Sequence, residues 1–223
     1  MKHRLKEVIE NLRKEAQIAR QNANDFSKRH FNGEAEHALI CCLRRAADIT
    51  DGFVLAAETS LIESANILER SLFETLVVTR WLMQSDENVQ MFNNAGINEM
   101  KRLARKNLLS GYAKILNKKN QEDKTSDFIQ SSVMKEIPKR LRIEEMAKNA
   151  NFERIYTMYY GFQSLLVHGT SSGIKSVKEA DELLYMAASA AGGFIYAINV
   201  TIQNWIFHRK QTPMSDINRI LGV

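Results

Sequence analysis

Arg70 and Glu74 stand four residues apart in the segment ANILERSLFETLVVTRWL, among large apolar residues. On a helix this spacing puts them one turn apart, close enough to pair. Such a pair either orients a guanidinium toward an anion or neutralises charges whose burial would otherwise cost several kcal/mol. Further along, Tyr156, Tyr160, Ser164 and His168 recur every four residues and therefore share one helix face. The small-residue turn Gly169-Thr170-Ser171-Ser172-Gly173 follows, and its backbone N–H groups suit a ligand or an anion.

These residue types pair a proton-transfer group near neutrality, a role open to His168, with a cation for developing negative charge, a role open to Arg70. Tyr160 or Ser164 would orient the imidazole, with Glu74 orienting Arg70. The same five side chains also make a structural network that locks two helices in register. A third reading is a small-ligand site around Tyr160, Ser164 and Gly169.

Other constellations exclude more than they offer. Glu34-x-x-His37 has the spacing of half a di-iron site but lacks a second such pair, so no metal and no cofactor are expected. Cys41 and Cys42 are adjacent, which suits neither a thioredoxin-type pair nor a zinc site. No phosphate-binding glycine loop, dinucleotide fingerprint or nucleophile elbow is present. The start MKHRLKEVIENLRKE is too charged for the apolar region of a signal peptide, and a cytoplasmic location is expected.

The elements that must position these residues are helices. In 223 residues there are two prolines and ten glycines, and alternating strand-like runs are scarce. With 44% hydrophobic and 26% charged residues, the composition is that of a globular chain. We expect one all-α domain over residues 1–223, an antiparallel bundle of about seven helices. The pattern places helices near 1–24, 34–50, 59–84 and 87–117. Beyond a polar loop at 118–126 come shorter helices, then 152–168 and a long C-terminal core helix over about 178–210. Asp51-Gly52 reads as a break.

Two of these segments raise questions of environment. Leu5, Ile9, Leu12, Ala16, Ala19, Ala23 and Phe26 form a heptad seam over residues 1–26, expected to join a homodimer unless it folds back on its own bundle. Leu183 to Phe207 lacks charged residues for long enough to span a membrane. Its Ala- and Gly-rich first half and Asn199, Gln203 and Asn204 instead read as a core helix approached closely by neighbours, with no membrane partner.

Charge is concentrated between Lys101 and Arg142, where twelve Lys or Arg face four Asp or Glu, a local +8 in a chain of net +5. Lys101, Arg102, Arg105, Lys106, Lys139, Arg140 and Arg142 make a patch that would attract RNA or another nucleic acid by counterion release. A solvated helix face carries the same residue types.

The segment around Arg70 and Glu74, followed by IEEMAKNANFERIYTMYYGFQSLLVHG, resembles an uncharacterised, mostly bacterial helical family of unknown function, the one numbered fifty-six seventy-seven, over about residues 55–175. That family in turn is similar to the HEPN bundles, common in toxin and phage-defence systems and often metal-independent ribonucleases. The resemblance implies a HEPN-like fold, a role in a bacterial defence or toxin-like system with a defence partner protein, and a site drawn from Arg70, Glu74, Tyr160, Ser164 and His168. No histidine of this chain follows an arginine at the usual HEPN spacing, so the site would be assembled across helices. The alternatives are a non-enzymatic partner-binding or regulatory module and a small-ligand sensor.

Overall fold

The computed structural model describes residues 2–29, 33–135, 137–138, 140–167, 177–208 and 211–222, with backbone only for 2, 135, 162–167 and 177–180. Ten helices occur among the described residues, and no strand. The chain groups into two compact units, residues 1–89 with 143–223, and residues 90–142.

The larger unit is a helical bundle built on α1 (Lys2–Ser27), α2 (Glu34–Glu58), α3 (Ile62–Leu82) and α9 (Val177–His208). The heptad seam of α1 folds back on its own chain. Leu12, Ala16, Ala19, Ala23 and Phe26 are buried, and α1 packs on α2 and α9. The homodimer expected from that seam would have to use another surface. Arg13–Glu58 at 2.7 Å and an ion pair of Arg20 with Asp51 tie the rim of α1 to α2.

Helix α2 runs through Asp51-Gly52 instead of breaking there. Phe53, Val54, Ala56 and Ala57 continue its buried face, and burial of that size outweighs the roughly 1 kcal/mol that glycine costs a helix. On α9, Ala187, Ala188, Ala191 and Ala197 are buried, so neighbouring backbones approach closely. A Cβ on Gly193 would meet Leu221 at 3.4 Å, which marks where α10 (Met214–Leu221) crosses α9. By composition Asp181–His208 is long and apolar enough to cross a membrane; half of its apolar window is buried inside the bundle.

Buried Arg80 fastens the end of α3 to the connection before α10, donating to the Thr212 carbonyl at 2.6 Å. Burial holds its pKa below the usual guanidinium range. The remaining helices of this unit are α7 (Ile143–Asn149) and α8 (Glu153–Val167), both packed against α3.

In the smaller unit, α4 (Asp86–Leu109), which begins in the larger one, stops eight residues short of the expected Asn117. Gly111 takes φ 72° there, and the Tyr112 N–H reaches back to the Asn107 carbonyl at 3.0 Å. This left-handed cap ends the helix by satisfying its last carbonyls. A short turn around Gln121 and the helices α5 (Thr125–Gln130) and α6 (Ser132–Lys135) complete the unit.

Candidate functional site

Helices α3 and α8 meet through Phe73, a fully buried ring. Its centroid lies 5.2 Å from that of Tyr159, 5.3 Å from Phe194, 6.3 Å from Phe152 and 6.5 Å from Tyr156. At 100° per residue, Arg70 and Glu74 fall to one side of Phe73 along α3, and Glu69 to the other. The contact between the helices therefore has two flanks.

On the first flank, Arg70 Nε donates to Glu74 Oε1 at 3.2 Å. Arg70 Nη2 donates to the Tyr160 hydroxyl, and the guanidinium carbon sits 3.9 Å from the Tyr160 ring centroid. Tyr156 stacks on Tyr160 at 4.6 Å, so a guanidinium and two phenol rings form one pile. Such a cation over an aromatic face is held electrostatically as well as by packing. The Arg70 side chain keeps 19% of its surface exposed and that of Glu74 keeps 30%. Burial, reinforced by the Glu144 carboxylate, raises the Tyr156 pKa above the ordinary phenol range, with Arg70 opposing and Glu74 adding.

The expected pairing of Arg70 with Glu74 and Tyr160 is thus present, and Tyr156 joins them. The side chain of Ser164 and the residues His168 and Gly169 lie outside the described residues. No group of three or more metal-ligating side chains occurs among the described residues.

On the second flank, a cavity of about 930 Å³ opens between α3, α8, α9 and α10. Asn66 and Glu69 of α3 are buried in its wall. Arg154, Ile155, Met158 and Tyr159 come from α8, and Leu183 and Met186 from α9. Met214 and Asn218 of α10 close it. Sequence reading did not find this site. The available signal was Asn66 and Glu69, two polar residues three apart that share a helix face otherwise built of apolar ones.

In the smaller unit, Arg102 pairs with Glu99 at 2.8 Å and donates to the Pro138 carbonyl, and Arg140 approaches the same Glu99 at 3.7 Å. Arg105, Lys106 and Arg142 are exposed without an ion-pair partner among the described residues, and Lys101 is half-buried. Part of the basic patch is therefore tied down, and part is free to meet an anion. Lys139 lies outside the described residues.

The profile of the Family of unknown function (DUF5677) matches residues 36–182, enclosing the stretch that carries Arg70, Glu74 and Tyr160. The chain belongs to this family. No curated protein and no solved structure matches it. Within the DUF5677 region lie both flanks of α3 and α8, whereas α1, α10 and most of α9 fall outside it.

Proposed function

We propose that this DUF5677 protein is an RNA-directed component of a bacterial defence or toxin-like system, built on a HEPN-like bundle. The observation that supports this reading is the Arg70 pile. Glu74 and Tyr160 fix the guanidinium through Nε and Nη2, and its Nη1 hydrogens, without a partner among the described residues, are left for a phosphate oxygen. Aromatic rings beside a guanidinium are also the surface on which unpaired bases stack, each worth roughly 1–3 kcal/mol. In this reading Arg70 is the phosphate contact, Tyr160 holds the cation with Tyr156 stacked on its ring, and Glu74 sets the orientation of Arg70.

If the protein cleaves RNA, the proton-transfer role falls to His168, on the chain just beyond α8. The 2′-oxygen attacks the adjacent phosphorus as its proton passes to the His168 imidazole, the P–O5′ bond breaks as the imidazolium returns a proton to the 5′-oxygen, leaving a 2′,3′-cyclic phosphate, and Arg70 offsets the charge on the pentacoordinate phosphorus. Exposed Arg105, Lys106 and Arg142 add sequence-independent attraction. The test is a fluorescent single-stranded RNA titrated with wild type, Arg70→Ala and His168→Ala, with melting temperature as the folding control. Both variants should stay folded. Arg70→Ala should lose binding and any cleavage, and His168→Ala should lose cleavage alone. Replacing Arg105 and Lys106 by Ala should weaken binding on any sequence and flatten its salt dependence, by about 0.7 in log–log slope per lost contact.

A further inference from the structure

Helix α4 reverses the usual arrangement of a solvated helix. At 100° per residue, Asn93, Gly96, Ile97, Met100, Leu103 and Ala104 share one face. Ile97, Met100 and Leu103 are 50%, 65% and 60% exposed there. Asn98 and Arg102 lie on the opposite face, both half-buried, and Arg102 donates to the Pro138 carbonyl. The polar side therefore faces its own unit, and the apolar side is turned out.

The exposed face has the spacing of a helix seam. Asn93, Ile97, Met100, Ala104 and Asn107 follow one another at steps of four, three, four and three residues, the repeat with which one helix packs along another. A Cβ on Gly96 would meet nothing within 4 Å, so a second helix has room to approach the backbone there. The ends of α4 decide which helix that is. Asp86 and Glu87 open it and Arg105 and Lys106 stand near its close, all four exposed and without an ion-pair partner among the described residues. Reversed end to end, this order of charges is its own complement. An antiparallel second copy of α4 brings acid to base at both ends and seam to seam between them, which is an isologous two-fold contact. A parallel pair would set Arg105 and Lys106 of both copies side by side, and an unrelated acidic helix would face Asp86 and Glu87 with like charge.

We infer that the protein self-associates through α4, as an antiparallel pair that crosses near Gly96 and Met100, with a second copy of the chain covering Ile97, Met100 and Leu103. The seam of α1 takes no part, since it is buried within its own bundle. A contact built on one helix face is small, below about 1,200 Å² in total, and belongs with the weak, reversible interfaces. The inference does not rest on RNA contact at Arg70. RNA and the second copy would compete for Arg105 and Lys106, and the tests contain no RNA.

Sedimentation velocity of the full chain over about 1 µM to 1 mM should show a reversible monomer–dimer equilibrium. Met100→Lys, at an exposed position, should weaken it by at least about tenfold while leaving the melting temperature as in wild type. Should that variant fail to fold, Leu103→Lys takes its place. Arg105→Glu combined with Lys106→Glu should weaken the dimer as well, by setting acid against Asp86 and Glu87 of the second copy. Orientation is read by cross-linking in a Cys41→Ser background, with Gln90→Cys in one protein and Ala104→Cys in another. A short bis-maleimide should join the two when they are mixed, and neither to itself. A monomer throughout the range, a dimer untouched by Met100→Lys, a mixture that does not cross-link, or cross-linking of either cysteine variant alone would each overturn the inference without bearing on RNA binding at Arg70.

Discussion

Glu69 and Arg70 are adjacent in sequence yet belong to different environments. Glu69 is sealed in a cavity wall at 1% exposure, whereas the Arg70 side chain lies over Tyr160 with 19% of its surface in water. The 100° turn between them carries each to its own side of Phe73. One helix pair thus supports a charged, solvent-facing pile on one flank and an apolar, acceptor-lined hollow on the other. Two flanks of different chemistry need no more backbone than one, provided the ring between them is fixed.

Phe73 is that ring, and removing it is the harshest test of the comparison. Phe73→Ala should destabilise the protein by about 3–5 kcal/mol, through lost burial and the cavity left behind. Both flanks should fail together in chemical denaturation. Survival of either flank would mean that α3 and α8 are held by something else.

Glu69→Ala should come next, at about 1–3 kcal/mol, because truncating a fully buried carboxylate leaves the groups around it without an acceptor. Glu74→Ala should cost less, about 0.5 kcal/mol, since the pair it breaks is an i to i+4 ion pair in partial contact with water. Urea midpoints of the two variants give the order directly. A larger loss for Glu74→Ala than for Glu69→Ala would reverse the assignment of sealed and open flanks.

The smallest effect concerns Tyr156. Its raised pKa means that the folded state keeps the phenol proton at a pH where the unfolded chain gives it up. Stability is therefore unaffected below the unfolded tyrosine value of about 10 and falls as pH rises above it. Tyr156→Phe should flatten this alkaline decline in a series of denaturation curves and leave neutral-pH stability nearly unchanged.

Much of the first flank was legible in the sequence, because four-residue spacing alone brings Arg70 to Glu74 and Tyr156 to Tyr160. The all-helical class was legible too, from two prolines and the scarcity of strand patterns. What escaped reading was set by tertiary packing. The apparent break at Asp51-Gly52 was overridden by the buried residues that follow it, and Gly111 ended α4 through a backbone conformation that the apolar pattern does not encode. The cavity was hidden for a different reason. Its walls come from four helices distant in sequence, and residues such as Met186, Met214 and Asn218 are unremarkable alone. The one hint was Asn66 and Glu69, polar residues three apart that share a helix face.

The central claim is that Arg70 contacts nucleic acid from its pile with Tyr160. Equilibrium titration of labelled single-stranded RNA into wild type and Arg70→Ala at low salt, with matched melting temperatures, tests it most directly. The account predicts salt-sensitive binding by wild type and a loss of at least tenfold in the variant, about 1.4 kcal/mol. Equal affinity of the two folded proteins, or no binding by wild type at low salt, would contradict it.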